Sequence, residues 1–415
     1  MEATAEMASK PKRAKEAVPK GAWAVLIAVW IVAIAAPLNM FKPSTISVEI
    51  IQSLNIAGSS YGWIMSVFSI MGLILAFPAT GLVYRFGLKK SLAVSVIALF
   101  AGSLLGALSQ SFEMLLVSRI IEGCGMGFIG VAGPTAISLW FPKSRQGIAV
   151  AVFQTWMPLG TLITMNIAPI MAASMGWKSV WWLACAYCVI AFVVLMALFK
   201  EPSKEVMAEA AGRRADEMGE GNKFAAFKNP SLWILCIMFL VFALTTTGTT
   251  SSYWSLYLRE AAGIDASVAA FAVSLCTVLG AVGIPFGGWL SDKLGTRKWM
   301  IVAAWVVVLV FLWFAFSTTN LTLIYVIAVA NGFCQGWIPA MVQTSIPEIL
   351  KDPSQNAMGM GLMNVFRNGG NILGGMALGY FVDPFGWSLG SHILCIPPVV
   401  VVVVLMLVIT RKTLR

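Results

Sequence analysis

The chain has a single histidine, His392, among 415 residues, and charged side chains make up only 11% of it. Soluble domains carry about 25% charge, so the low charge excludes an ordinary soluble fold. The scarcity of histidine leaves little for acid–base or metal chemistry. There is no cluster of histidines and acids, no phosphate-cradling glycine loop and no metal-ligand spacing, which argues against an enzyme and against a resident cofactor or metal. Seven cysteines all stand in apolar surroundings and make no disulfide framework. Cys185-Ala-Tyr-Cys188 has redox spacing but lies inside an apolar run, where small apolar filler is the plainer reading. No cleavable signal is evident, because residues 1–20 are polar and basic and the apolar run after them is too long for a signal core.

What the chain does have is apolar length. Hydrophobic residues make up 59% and the mean hydropathy is +0.85. Twelve apolar runs approach the roughly 20 residues that cross hydrocarbon. They lie near 22–48, 60–83, 90–109, 113–140, 147–172, 178–199, 231–257, 267–290, 298–317, 321–346, 356–382 and 389–410. The expected fold is an all-α integral membrane protein with twelve transmembrane helices. The net charge of +10 points to topology rather than to nucleic acid. With the N-terminus inside, every basic residue except Lys42, Arg119, Lys178, Arg259 and Arg367 falls in a cytosolic segment. This follows the positive-inside rule, so both termini are expected in the cytosol and the protein in the cytoplasmic (inner) membrane, with anionic lipid as a neighbour.

The expected organisation is a cytosolic tail 1–20, a six-helix bundle 21–199, a cytosolic connection 200–230, a second bundle 231–410 and a tail 411–415. The connection opens with Lys200-Glu201-Pro202 and closes with Asn229-Pro230. A short charged turn supports the division into halves. Gly287-Gly288-Trp289-Leu290-Ser291-Asp292-Lys293-Leu294-Gly295-Thr296-Arg297-Lys298 has a worn copy about half a chain earlier, in Thr80-Gly81-Leu82-Val83-Tyr84-Arg85-Phe86-Gly87-Leu88-Lys89-Lys90. One signature at two such places marks two similar halves.

This turn resembles the loop after the second and eighth spans of the major facilitator superfamily, Gly-x-Leu-x-Asp-Arg-x-Gly-Arg-Lys. The second copy matches at Gly288, Leu290, Asp292, Gly295, Arg297 and Lys298. The first keeps Leu82, Arg85, Gly87 and Lys89, with Thr80 for the glycine and Tyr84 for the aspartate. Arg119, Gly123, Gly125 and Gly127 likewise resemble the family's span-four pattern, Arg-x-x-x-Gly-x-Gly-x-Gly. The resemblance implies two pseudo-symmetric six-helix bundles, alternating access around a midplane site, and a working monomer. It also makes Gly288, Asp292, Gly295, Arg297, Lys298, Arg85 and Gly87 gating-loop residues. With Tyr84, the first loop lacks the carboxylate that helps latch the halves. Pro158 and Gly160 stand where the family's antiporters carry a Gly-Pro-rich motif whose remainder is missing. Asn39, Pro43, Ser47 and Val48 resemble the first span of the cyanate and 2-nitroimidazole permease branch, with Lys42 in place of arginine and one residue inserted. In such relatives the cation binds a small anion.

The candidate site residues are polar interruptions of the spans. Lys42 lies about 30 Å along the first run at 1.5 Å per residue, followed by Pro43, which removes a backbone donor and bends a helix. It either reaches for the outer headgroups or, with Asn39, faces a central cavity. Arg119 and Glu122 are three apart and share a helix face, so they form an ion pair, or Glu122 accepts a coupling proton. Glu49 reads as an isolated, solvated acid at the outer end of the first run, and Arg259 as part of an outer loop. Gln154 and Trp156 line a cavity or pack. Tyr253-Trp254 reads equally as a cavity lid or an aromatic belt. Asn331 and Gln335 are one turn apart on one face. Arg367, close to Asn364, falls about 15 Å into its span, where a guanidinium has to face protein, water or ligand.

Lys42 and Arg367 come from opposite halves, and the cations at membrane depth (Lys42, Arg119 and Arg367) outnumber the one deep carboxylate. This balance favours an anion. The expectation is a secondary carrier for a small organic or inorganic anion, coupled to a proton, exchanged for a second anion, or uncoupled. Two other readings are open: a multidrug or cation exporter driven by proton antiport, which would be expected to carry cavity carboxylates, and a membrane sensor without transport.

Overall fold

The computed structural model describes residues 18–203, 223–294, 297–350 and 353–408. Most of the expected connection, nearly all of both expected tails, and Gly295 of the second turn lie outside them. The described chain is almost wholly helical. Span 1 is Ala22–Thr45, continued by Ser47–Leu54; spans 2, 3 and 4 are Gly58–Phe86, Leu88–Ala107 and Phe112–Trp140. Span 5 joins Lys143–Gln154 to Trp156–Met175, and span 6 is Ser179–Leu198. Span 7 runs through Pro230–Phe242, Ala243–Thr250 and Ser251–Glu260; spans 8 and 9 are Ala266–Leu294 and Arg297–Ala315. Span 10 joins Leu321–Gln335 to Trp337–Ile349. Spans 11 and 12 form one run, Pro353–Val408, divided at Gly386, whose φ of 73° and ψ of 173° are not helical. The apolar length of these helices suffices to cross a membrane. With Gly386 as the divider, the described helices match the twelve expected spans.

Local chemistry explains where the helices break. Pro43 removes an N–H near the end of span 1, and three residues later Ile46 leaves the helical region at φ −125°. In span 7 the run Leu244-Thr-Thr-Thr-Gly-Thr-Thr250 adopts a π-helix. There Thr250 Oγ1 donates to Thr245 O at 2.7 Å and Ser251 Oγ to Thr246 O at 3.2 Å. These hydroxyl bonds reach back five residues and supply partners to carbonyls in the widened turn.

Glycines set the packing inside each half. A Cβ on Gly123 would stand 2.5 Å from Phe68 O, and one on Gly127 3.1 Å from Gly72 O, so span 4 lies directly on span 2. The second half repeats the contact. A Cβ on Gly332 would stand 2.7 Å from Cys276 Cα, and one on Gly336 would overlap Gly280 O. Both pairs recur 208 or 209 positions on, the same offset as the two charged turns. Gly125 points the other way, to span 3, where Ser95 Oγ donates to Gly125 O at 2.8 Å. Close backbone approach through small residues is the usual way helices associate without a hydrophobic driving force.

Between the halves, contacts gather at the end remote from the 200–230 connection, here called the distal end. Gly62 and Gly375 bring spans 2 and 11 together, and Ser66 Oγ donates to Ile372 O at 3.1 Å. Asn166 Nδ2 of span 5 donates to Ser274 Oγ of span 8 at 3.1 Å. Arg259 of span 7 grips Glu49 of span 1 with two nitrogens, at 2.6 and 2.7 Å, and also donates to Thr45 O at 3.1 Å. Glu49 is therefore not the isolated acid expected from the sequence, and Arg259 belongs to a helix rather than a loop.

Replacing Gly123 or Gly336 with alanine is expected to lower the Tm of the purified protein, because the added carbon meets backbone and overpacking costs about 1–3 kcal/mol. Gly130→Ala, with nothing within 4 Å of its Cβ, should leave the Tm unchanged or raise it. Equal Tm values for all three variants would overturn this packing account.

Candidate functional site

The most concentrated chemistry lies in the first half, between spans 1, 3 and 4. A helical N–H at position 43 would bond the carbonyl of residue 39, but Pro43 has none, so Asn39 O is left free. Arg119 Nη1 takes that acceptor at 2.7 Å. The same guanidinium donates from Nε to Ile64 O at 3.0 Å and from Nη2 to Met40 O at 3.3 Å. The kink residue thus creates the dock that fixes span 4 against span 1.

Glu122 joins two cations. Its Oε2 accepts a short bond from Arg119 Nη1, and its Oε1 accepts from Lys42 Nζ at 2.5 Å. Lys42 Nζ also donates to Asn39 Oδ1 at 2.7 Å and to Ser103 Oγ at 3.1 Å. The side chains of Lys42, Arg119 and Glu122 are all 0% exposed. Aromatic rings close the cluster, with Trp181 beneath Lys42 Nζ at 4.8 Å and Phe68 beneath the Arg119 guanidinium at 4.6 Å. Span 3 makes room with glycine. A Cβ on Gly102 would stand 2.5 Å from Glu122 Cγ, and one on Gly106 would overlap Trp181 Nε1.

Two cations and one carboxylate leave a buried surplus of one positive charge. The ammonium of Lys42 faces these neighbours rather than the end of its span. In this arrangement it presents no donor to an open cavity.

Arg367 of span 11 is in the opposite condition. It is half-buried, its guanidinium lies over the Phe239 ring at 5.8 Å, and among the described residues it makes no hydrogen bond or ion pair. Asn364 and Asn368 spend their amide donors on Met360 O and Asn364 O one turn back, at 3.1 and 2.8 Å, which leaves their Oδ1 atoms available. Gly370 and Gly374 draw span 11 onto the carbonyls of Leu240 and Leu244 at the start of the π-helical turn.

The remaining candidates are placed separately. Gln335 Nε2 donates to Cys276 O at 3.0 Å and so ties span 10 to span 8. Its neighbour Asn331 is buried with Oδ1 unpartnered. Gln154 is exposed at the break in span 5, beside buried Trp156. Tyr253 lines a cavity of about 160 Å³ at the distal end with Glu260, Asp383 and Trp387. Trp254 is fully buried and donates to Ala315 O at 2.7 Å.

In the first charged turn, Gly87 has φ 93°, a region glycine enters at little cost. Glu201 accepts from Leu88 N at 2.6 Å and Lys89 N at 2.8 Å, capping span 3. A carboxylate that position 84 does not offer thus arrives from beyond span 6. Arg85 is exposed over the Phe86 ring. In the second turn, Gly288 and Asp292 belong to the span 8 helix and Arg297 begins span 9. Lys298 Nζ donates to Leu407 O at 2.9 Å. The side chains of Asp292 and Arg297, like Gly295, lie outside the described residues. Sequence reasoning missed Ser103, Trp181 and Glu201. Only Glu201, an acid immediately after an apolar run, carried a readable signal.

The charge ledger predicts an asymmetry. Glu122→Gln strands two buried cations side by side and is expected to cost about 3–5 kcal/mol of stability. Lys42→Met breaks the same 2.5 Å contact but leaves Arg119 and Glu122 as a neutral pair, and is expected to cost less. Thermal unfolding in detergent ranks the two. A Lys42→Met protein less stable than Glu122→Gln would overturn the ledger.

Two matches to one family model, described as the Major Facilitator Superfamily, cover residues 22–254 and 241–415. The hexuronate transporter of Bacillus subtilis is 25% identical over 87% of this chain and 89% of its own. Multidrug resistance protein MdtG of Rahnella is 26% identical over 78% of each. Among solved structures, a bacterial homolog of the human lysosomal transporter Spinster, inward-facing and occupied, aligns with a TM-score of 0.74. That alignment has 15% identity and covers 94% of this chain and 96% of that one. The matched model, the paired six-span halves and the repeated charged turn agree: this chain is a member of the major facilitator superfamily of transporters.

Proposed function

We propose that the protein is a secondary carrier for a small organic anion, working by alternating access in a cytoplasmic membrane with the connection end in the cytosol. Arg367 carries this reading. A guanidinium at membrane depth is costly unless something pairs it, and among the described residues no carboxylate does. Guanidinium is the side chain best shaped for two-oxygen recognition of a carboxylate or a nitro-type group. The free Oδ1 of Asn364 supplies an acceptor for a substrate hydroxyl. Gln154, and Gln335 through its free carbonyl oxygen, are proposed to line the path. Lys42 and Asn39 contribute the positive potential of the first half, and reach substrate only where the Glu122 cluster opens. The hexuronate transporter's name describes an anionic substrate, in keeping with this reading.

The multidrug relative supports a second reading, proton-driven export of apolar cations. Such a site calls for a deep carboxylate free to meet a cation, whereas Glu122 is engaged by two. The anion reading is preferred on that ground.

A thermal-shift screen of the purified protein tests the choice, because a ligand that binds the folded state raises Tm by mass action. The panel pairs hexuronates, short carboxylates, cyanate and nitroaromatic anions with lipophilic cations. Anions are expected to stabilise the wild type. Arg367→Ala is expected to weaken them roughly 10- to 100-fold, the worth of a charged hydrogen bond. Stabilisation by cations alone, or anion shifts that survive Arg367→Ala, would sink the anion reading.

The cycle requires the distal contacts to part. Loss of about 1 kcal/mol multiplies a minor conformation roughly fivefold. In Glu49→Gln, spin labels at Leu54 and Ala261 should show such a rise in the longer-distance population. Exchanging the pair, Glu49→Arg with Arg259→Glu, should reverse it. Unchanged distances would remove the pair from the gate.

A further inference from the structure

The cluster around Glu122 holds one more positive charge than it can neutralise, and that surplus has only one way to leave. Arginine stays protonated at any accessible pH. Protonating Glu122 would raise the buried charge from one to two. Only the Lys42 ammonium can give up a proton and leave the neutral pair of Arg119 and Glu122 behind. We propose that Lys42 is the proton-binding site of this protein and that the cluster alternates between net charges of one and zero.

The hydrogen bonding is built for both states. An ammonium has three donors, and Lys42 Nζ meets three acceptors: Asn39 Oδ1, Ser103 Oγ and Glu122 Oε1. With Lys42 charged, the Ser103 hydroxyl gives its own proton to Asn39 Oδ1 at 2.7 Å or to Glu122 Oε1 at 3.1 Å. A neutral amine has two donors and one lone pair. When the proton leaves Nζ, Lys42 keeps its bonds to Asn39 and Glu122, and the Ser103 hydroxyl turns to donate to the lone pair. One rotation of one hydroxyl satisfies either protonation state, so neither strands a buried polar group.

Other titratable groups near the cluster do not compete. Cys185 and Cys188 of span 6 are buried thiols on the Trp181 side. Tyr61 of span 2 is a buried phenol facing Arg119. On span 7, Arg259 is compensated by Glu49. Glu122 and Arg119 of span 4 pair with each other.

The assignment rests on the carrier reading only for its part in transport; the titration itself does not. Trp181 reports it, because Lys42 Nζ lies over its ring. Tryptophan emission of the purified protein is followed between about pH 6 and 10, the range open to a perturbed lysine. A one-proton transition is expected in the wild type and should be absent in Trp181→Phe and in Lys42→Arg, whose guanidinium keeps its charge. Should Lys42→Arg fail to fold, Lys42→Met takes its place. A wild type without a Trp181-dependent transition, or a transition that persists in the lysine variant, would overturn the assignment. Loss of the titration with the Arg367-dependent anion shift intact would sink the proton site alone. An intact titration without any anion shift would sink the anion reading alone.

Discussion

The first half of this protein depends on one carboxylate that holds two cations. Glu122 reaches Lys42 on span 1 and Arg119 on its own span 4, and every neighbouring feature serves that meeting. Pro43 frees the carbonyl that anchors Arg119. Gly102 leaves space for the Glu122 side chain, and Gly106 leaves space for the indole that lies under Lys42. Buried ions are tolerated only when their remaining donors and acceptors are met. Here the side chains of Asn39 and Ser103 and three main-chain carbonyls meet them. The arrangement gives span 1 a fixed rotation and depth relative to span 4, which apolar side chains in a lipid-like surrounding specify poorly.

The two halves share a scaffold but not a charge plan. The glycine contacts of span 4 on span 2 recur in span 10 on span 8, yet the position equivalent to Glu122 is Asn331, buried with an unpartnered oxygen. Among the described residues no lysine or arginine is paired with it. The second half carries its cation on span 11 instead, at Arg367, without an acid. The deep cations of the first half thus share an acid from their own half, whereas Arg367 has no acid partner among the described residues.

Much of this was readable in the sequence, and the rest was hidden for definite reasons. Apolar length gave the spans, and the repeat of the charged turn gave the halves. Lys42, Arg119, Glu122 and Asn39 all stood out as polar groups in apolar runs. Their meeting did not, because Lys42 and Glu122 are 80 positions apart and a single sequence does not carry the rotation of one helix against another. Glu49 read as wet because its partner lies 210 positions away. The π-turn of span 7 left no periodic trace, since a run of threonines bonds back four or five residues equally well. The free carbonyl at Asn39, by contrast, follows from Pro43 alone.

Span 1 ties the cluster to the distal closure. Within residues 39–49, Asn39 O holds Arg119, Lys42 holds Glu122, and Thr45 O and Glu49 both hold Arg259 of the opposite half. The helix breaks at Ile46, between the last two of these. On the proposed cycle, releasing Arg259 frees the short helix Ser47–Leu54 to swing about that break. Thr45 O loses its donor at the same moment, one turn from Lys42. The piece of span 1 that leaves the gate is thus continuous with the piece that carries the ammonium. On the proposed cycle, parting spans 1 and 7 brings water closer to an ammonium whose side chain is fully buried here. Proton exchange at Lys42 and opening of the distal end are, on that proposed cycle, two consequences of one movement.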